Sequence, residues 1–293
     1  MSDSTVTIGL PVHNSARSVL ETIRSVFAQT YPDWKLLIID DCSTDGSYEL
    51  LSRIDDDRVT VVKGEQNLGL ASRLNEIAQR TTTPLLARLD SDDVNHPQRL
   101  ELQVAYLNAH PDVDFVVADG ISIDAESRPR GYRTSIPDAS VAEHFVFGPY
   151  IHSVITGRTE WFRNNPYDTG LLRAEDQDLW LRTLGKRKTV VQELPLLYVR
   201  EAGYVTADKY RRSLDATKVV IRRHAPAHLN RFQTFTQLAF ADAKKAIYTA
   251  AEKAGVGDRV VALRSRKLSE EDVRHHYEVL ATIQATKIPG IDD

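Results

Sequence analysis

From about residue 5 to residue 125, short apolar runs alternate with segments whose apolar residues recur every three or four positions. Val6 to Val12 reads as a strand, and Val19, Leu20, Ile23, Val26 and Phe27 come next at helical spacing. Asn14 or Ser15 is the expected cap of that helix, and Pro32 blocks its continuation. A second strand, Lys35 to Ile39, runs into Asp40-Asp41. Ser43-Thr44-Asp45-Gly46 then turns the chain into a short helix carrying Leu50, Leu51 and Ile54. Val59 to Val62 reads as a third strand and Leu85 to Leu89 as a fourth, with Leu70, Leu74, Ile77 and Ala78 marking the helix between them. Leu100, Val104 and Leu107 mark the helix after Pro97, and Phe115 to Val117 a fifth strand. Strands alternating with helices predict an α/β fold with a mainly parallel central sheet and right-handed crossovers.

The alternation loosens from Ser127 to Pro149, which reads as a long surface loop of the kind that often forms lids or binding loops. Val154 to Arg158 reads as a strand. Glu175 to Leu184 reads as a helix facing Leu179, Trp180 and Leu184 inward, and Val190-Val191 and Leu196 to Val199 as short strands. Beyond about Val205 the pattern is helical, which sets a boundary near Tyr204.

Composition narrows the class. The chain of 293 residues is 42% apolar and 27% charged, ordinary for a globular protein. A net charge of -4 argues against a general nucleic-acid binder. No charged start leads into an apolar run, and no stretch reaches the ~18 apolar residues of a membrane span. Cys42 is the only cysteine, which excludes an intramolecular disulfide and points to a reducing compartment. Cys42 has no activating pattern around it and reads as structural. A cytoplasmic protein is expected.

Strands two and four both end in acid, at Asp40-Asp41 and at Asp90-Ser91-Asp92-Asp93. The carboxyl edge of an open α/β sheet is where ligands bind. Crowded carboxylates repel one another and favour a divalent cation; hard oxygen donors suit Mg²⁺ or Mn²⁺ bridging to substrate phosphates. The plain alternative is a solvated acidic turn. Asp40 or Asp41 can accept the imide N–H of uracil or ribose hydroxyls; alternatively the pair caps the adjoining turn. Glu175-Asp176 opens a helix, where the macrodipole favours acids and where a general base can be aimed into a cleft. Asp178 points elsewhere around the helix and reads as structural.

These segments, in this order, resemble family 2 glycosyltransferases, which have the GT-A nucleotide-binding fold. The resemblance covers roughly residues 5 to 200. Leu10-Pro11-Val12-His13-Asn14 looks like the family's opening strand and nucleotide loop, with His13 where Tyr is common. Ser25 to Tyr31 is similar to its first-helix signature, and Ile38 to Gly46 to its second strand and turn. Asn67-Leu68-Gly69-Leu70-Ala71 matches another loop, and Asp90-Ser91-Asp92 the DxD metal motif. His152 and Arg158 are spaced like a His and Arg before the acceptor site, and Glu175 to Arg182 resembles the segment carrying the base.

The resemblance implies that Pro11, His13, Asn14, Asp41, Asn67, Gly69, Asp90 and Ser91 bind the nucleotide. It places Mn²⁺ or Mg²⁺ on Asp92, the acceptor against His152, Arg158 and Glu175, and the catalytic base at Asp176. A catalytic GT-A domain is expected over 1–204, its nucleotide-binding part about 1–125 and its acceptor-binding part about 126–204, with a helical region over 205–293. The implied partners are a nucleotide-sugar donor and a glycan or lipid-linked glycan acceptor, in surface polysaccharide or lipopolysaccharide synthesis.

Thr156-Gly157 and Pro166 depart from the family pattern. The Gln-x-x-Arg-Trp motif of processive members is absent after Asp178, so a single transfer is expected. A haloacid-dehalogenase-type phosphatase is the competing enzyme, because Asp90-Ser91-Asp92-Asp93-Val94 fits its nucleophile loop. A non-catalytic nucleotide-sugar-binding protein is the competing non-enzyme. The run from Lys209 to Arg231 carries Arg211, Arg212, Lys218, Arg222 and Arg223 against Asp215 alone. It reads either as a solvated helix face or as a peripheral foothold on an anionic membrane.

Overall fold

The computed structural model describes residues 4–146, 148–202, 207–255, 260 and 265–293. Four strands build the nucleotide-side half: β1 (Val6–Val12), β2 (Trp34–Asp40), β3 (Val59–Lys63) and β4 (Leu85–Arg88). They pair in parallel in the order β3-β2-β1-β4. All seven residues of β1 are buried, as a central parallel strand covered on both faces requires. Three helices, α1 (Val19–Phe27), α2 (Ser47–Leu51) and α3 (Leu70–Arg80), supply the crossovers. The amide of Asp41 donates to the Val12 carbonyl, and that of Leu89 to the Gly9 carbonyl. The two acidic strand ends therefore emerge on either side of β1, at one edge of the sheet.

Beyond β4 the sheet is mixed. After β5 (Val94–Asn95) and α4 (Arg99–Ala109) come β6 (Phe115–Asp124), β7 (Pro129–Arg133) and β8 (Thr156–Arg158). β8 lies antiparallel between β4 and β6, and β7 forms a hairpin with β6. The stretch expected as a long loop thus contains β7 and a short helix, α5 (Val141–Val146). No apolar run announces β7: its residues are Pro-Arg-Gly-Tyr-Arg, and Pro129 is tolerated as the first residue of a strand whose outer side makes, among the described residues, a single bridge, Tyr132 to Arg266. The two short strands expected near 190 and 197 are one long strand, β9 (Thr189–Ala202), parallel to β6. Register shifts near Gln192 and Pro195 divide it, which is why its apolar pattern breaks.

α6 (Thr159–Asn164) and α7 (Glu175–Arg182) cover this half, and α8 (Ala207–His228) and α9 (Arg231–Lys253) form a helical hairpin beside it. The boundary expected at Tyr204 lies outside the described residues. The helical region is not uniform. α10 (Glu270–Ala285) returns to the catalytic domain, burying Leu280 and Ile283 with Val94, Ile121, Ile123 and Tyr198. Ile288 reaches the main core, and Arg24 on α1 pairs with Asp292 at 2.6 Å. Neither Asn14 nor Ser15 caps α1 with its side chain. Ser18 holds the cap position, and the Ser15 carbonyl accepts from the Ser18 and Val19 amides.

Gly157, one of the departures from the family pattern, is explained by packing. It faces Phe115 across β8 and β6, and a Cβ there would collide with the Phe115 side chain and stand 2.8 Å from the Asp114 carbonyl oxygen. Gly157→Ala should lower unfolding free energy by about 1–3 kcal/mol, the usual cost of overpacking. Urea denaturation measures it, and a change within about 0.5 kcal/mol, the range of ordinary surface substitutions, would contradict the packing argument.

Candidate active site

A cleft of about 1000 Å³ opens at the carboxyl edge of the parallel strands. Its walls include Pro11, His13, Asn14, Asp41, Asp90, Ser91 and Asp92, seven of the residues singled out from the sequence. The register of β1 with β2 and β4 brings them together, although they are dispersed over about eighty residues of chain.

The floor is built around Asp41. Its carboxylate accepts from the backbone amides of Leu68 and Gly69, each at 2.8 Å, and from Arg73 Nε at 2.7 Å. The first two bonds satisfy orphan donors at the start of α3, where a negative charge also meets the positive end of the helix. Gly69 has φ +82° and ψ 165°, a conformation only glycine adopts readily. Arg73 is buried and also pairs with Glu76 and the Gln66 carbonyl. Asp40 is sealed below the loop: one oxygen accepts from the Ser43 amide, and the other is buried without a hydrogen-bond partner. Asp41, not Asp40, reaches the cleft. His13 Nδ1–H donates to the Asp41 carbonyl, leaving Nε2 to accept from the Asn14 or Asn67 side-chain amide. Asn14 takes φ +51° and accepts from the Thr44 amide.

The acidic turn after β4 divides by direction. Asp90 and Asp92 face the cleft. Asp93 turns inward, accepting from Ser153 Oγ at 2.5 Å and the Arg200 amide at 3.0 Å, so the expected third carboxylate does not belong to the cation site. Burial and the charges of Asp92 and Asp90 push its carboxyl well above the usual range. The turn itself is stitched in place. Ser18 and Thr22 hydroxyls donate to the Ser91 carbonyl, and Ser15 Oγ lies 2.6 Å from Ser91 Oγ. Buried Arg200 donates through Nε to the Asp92 carbonyl and through Nη2 to Glu21.

Arg88, the last residue of β4, joins this turn to the second acidic pair. Its Nε and Nη2 donate to the two oxygens of Asp90, at 2.9 and 3.1 Å. Its Nη1 donates to His152 Nδ1, which fixes the tautomer: His152 Nε2–H donates to Tyr167 Oη at 2.8 Å. Burial and the Arg88 charge hold His152 neutral, well below its ordinary pKa. Asp176 Oδ2 lies 3.9 Å from His152 Nδ1, and its other oxygen accepts from the Gln177 amide. Burial raises the Asp176 pKa above its ordinary value. Burial and the neighbouring Asp176 charge push Glu175 up to about 7. His152, Glu175 and Asp176 lie close enough to ligate a cation, with candidate atoms within 4.8 Å of one another. The Arg88 guanidinium at His152 Nδ1 makes that a poor cation site. Arg88 also holds both oxygens of Asp90, so Asp92 is the cleft-lining oxygen donor of the turn that best suits a hard divalent ion.

Comparison with known proteins decides the family. The model of glycosyl transferase family 2 matches residues 7–174. The chain belongs to that family. EpsE of Bacillus subtilis (strain 168), named for glycosyl transfer, is 32% identical over 185 residues, covering 60% of this chain and 66% of its own length. The amylovoran biosynthesis glycosyltransferase AmsE of Erwinia amylovora is 29% identical over 154 residues, 52% of this chain and 58% of AmsE. The matches thus span about two thirds or less of these relatives. Among solved structures, S. aureus TarS 1-349 with UDP superposes with a TM-score of 0.60 at 17% identity, covering 98% of this chain and 89% of that one. The mannosyltransferase PcManGT of Pyrobaculum calidifontis, with GDP-Man and Mn²⁺, gives 0.59 at 17%, covering 97% and 86%. These neighbours establish the GT-A fold.

Within this family 2 chain one expected site residue is displaced. Arg158 pairs with Leu85 at the start of β4, the end of the strand away from the cleft. Its guanidinium donates to the carbonyls of Leu107, His110 and Val113, tying β8 to the end of α4 rather than meeting an acceptor. Conversely, Arg73, Arg88 and Arg200 were not singled out from the sequence. Each carries a buried guanidinium, and only the acids beside them in space reveal the role. Asp178 is structural as expected: Arg182, Arg223 and His224 surround its buried carboxylate.

Native Glu175 keeps its proton up to about pH 7, whereas the unfolded side chain loses it near 4.5. The native state therefore binds more protons across that window, and stability falls as pH rises through it. Glu175→Gln should flatten this fall, so that its melting temperature gains on wild type between about pH 5 and pH 8. Parallel Tm-versus-pH curves would show that Glu175 ionises normally.

Proposed function

We propose that this chain transfers a single glycosyl group, with inversion and with a divalent cation, from a nucleoside-diphosphate sugar to a hydroxyl acceptor. The observation that carries the reading is that buried Arg88 links Asp90, which lines the cleft beside Asp92, through His152 to a second acidic pair, Glu175/Asp176, set beyond the cleft's own lining. Pro11, His13, Asn14 and Asp41 hold the base and ribose, with Asn67 and Gly69 shaping that wall. Asp92 holds Mn²⁺ or Mg²⁺, and Asp90 and Ser91 border the nucleotide. When bound, the cation offsets negative charge on the departing diphosphate.

Asp176 takes the proton from the acceptor hydroxyl as that oxygen attacks the anomeric carbon from the face opposite the diphosphate. Burial raises its pKa toward the working pH, which suits a general base. Glu175, half protonated near neutrality, and His152, held neutral, line the acceptor side and give it hydrogen-bonding groups with little added charge. Orientation of the two substrates on a rigid edge supplies much of the acceleration.

UDP is the expected nucleotide from the family resemblance. AmsE, named for amylovoran biosynthesis, and TuaG of Bacillus subtilis (strain 168), named for teichuronic acid biosynthesis, support a polysaccharide-type acceptor. The phosphatase reading loses ground on geometry. Its nucleophile would be Asp90, whose two oxygens are both held by Arg88. Among the described residues no helix is long and apolar enough to cross a membrane.

Two variants test the division of labour. Asp92→Asn should abolish the thermal protection that Mn²⁺ plus nucleoside diphosphate gives. Asp176→Asn should keep that protection while turnover falls by about 10²-fold or more, the scale of a lost general base. Metal-linked nucleotide binding that survives in Asp92→Asn would remove Asp92 from the cation site. Wild-type turnover in Asp176→Asn would move the base elsewhere.

A further inference from the structure

The basic run from Lys209 to Arg231 is not a free electrostatic surface. The Lys209 side chain lies outside the described residues. Arg211 pairs with Asp208 and Glu252, Arg212 with Asp208, Lys218 with Asp215 and Asp242, and Arg223 with Asp168 and Asp178. Most of these charges hold α8 together or tie it to its neighbours.

The neighbouring helix presents something else. α9 buries Ala241, Tyr248 and Ala251, with Tyr248 stacked on Tyr210 of α8 at 4.2 Å. Its opposite face, at spacings of three and four, exposes Phe232, Phe235, Ala239, Phe240, Ala243 and Ile247. Phe232 is 74% exposed, Phe235 67%, Ile247 56% and Phe240 43%. At 1.5 Å per residue this stripe is about 22 Å long. Isolated exposed hydrophobics need no explanation, but a contiguous aromatic stripe marks a contact surface.

Charge identifies the occupant. The two acids of α9, Asp242 and Glu252, are tied to Lys218 and Arg211 of α8, and Asp242, seven residues after Phe235, borders the stripe with its charge paired. Arg222, Arg231 and Lys253 are exposed around the hairpin, and Lys244 Nζ lies 5.2 Å from the Phe240 ring centre. Residues 207–255 carry ten Lys and Arg against four Asp and Glu. That is a net charge of +6 in a chain whose total is -4, so the remainder carries -10. A helix with an aromatic face, cationic flanks and its one bordering acid ion-paired has the make-up of one lying in an anionic lipid interface. The separation of charge orients the molecule, because the acidic remainder is repelled by the same surface.

We infer that α9 is a membrane-interface helix, its Phe232–Ile247 face entering the headgroup boundary of an anionic leaflet while the cations around it contact lipid phosphates. This rests on the reading of the acceptor as lipid-linked only for its purpose. The surface itself stands on α9, and its test does not pass through sugar transfer.

The test is co-sedimentation of the whole protein with vesicles of phosphatidylcholine and phosphatidylglycerol, at low and high salt. Wild type should sediment with the mixed vesicles, less so at high salt, since screening shortens electrostatic reach to about 8 Å near 0.15 M. Phe232→Ser/Phe235→Ser/Phe240→Ser should reduce the partition by about tenfold or more, each lost ring removing apolar surface from the interface. These side chains are exposed, so the triple variant should keep its melting temperature and its nucleotide binding. Phe235→Trp should show a blue-shifted emission on adding the same vesicles. Failure of wild type to sediment at low salt, full binding by the triple variant, or an unshifted emission from the Phe235→Trp variant would overturn the inference. So would a wild-type dimer that the triple variant converts to monomer without any vesicle binding, which would assign the stripe to a second copy. Loss of vesicle binding with donor turnover intact would sink the membrane helix alone; loss of turnover with binding intact would sink the transfer reading alone.

Discussion

The buried guanidinium of Arg88 is the interaction on which the site depends. It sits where the parallel half of the sheet ends and the mixed half begins. It links the two acidic clusters, directly through Asp90 and, through His152, to the neighbourhood of Asp176. A cation withdrawn from water is costly unless paired, and here the surrounding acids keep it protonated despite its burial. In return its charge keeps His152 neutral and counters the repulsion among Asp90, Glu175 and Asp176. Without it, three carboxylates would crowd one low-dielectric recess with no counter-charge from this strand, and the two acidic clusters would lose their common anchor.

Around that anchor, rigidity comes from hydrogen bonds to backbone rather than from side-chain crowding. Three hydroxyls and Arg200 fix the Asp90–Asp93 turn through Ser91 and Asp92. Asp41 fixes the loop that leads into α3. Both devices leave cleft-facing atoms in set positions before a ligand arrives, which is the condition under which orientation lowers a barrier. Arg200 also donates to the turn at Asp124 and Ala125, so the β6–β7 hairpin, the acidic turn and α1 share one buried hub.

Much of this was legible in the sequence because parallel strands advertise themselves. β1, β2 and β4 are mostly apolar runs, and acids placed at their ends must lie at one edge whatever the details. That logic located the acidic ends Asp40-Asp41 and Asp90–Asp93, and the family resemblance, carried by the order of segments, singled out Asp41 and Asp92 among them. Where side chains serve by contact across the fold, the chain carries no such signal. Arg73, Arg88 and Arg200 look like any other arginine until the acids beside them are in place. Arg158 has the spacing of a functional residue, yet it lies at the wrong end of its strand, because β8 runs antiparallel to β4 and a spacing carries no direction. β7 lacks an apolar alternation because a short hairpin with β6 and one bridge from Tyr132 to Arg266 suffice to hold it. Asp93 belonged to the right motif and faced the wrong way, since successive residues of a tight turn cannot all point to one side.

The central claim is direct displacement at the anomeric carbon by an oxygen that Asp176 deprotonates, with no covalent glycosyl-enzyme stage. It is tested most directly by the anomeric configuration of the product. Slow hydrolysis of an α-linked nucleoside-diphosphate sugar, with water standing in for the acceptor, can be followed by proton NMR before the released sugar mutarotates. The account predicts the β-anomer as the first product. An α-anomer appearing first would contradict it, and would require either a nucleophile on the enzyme or attack from the side of the leaving diphosphate.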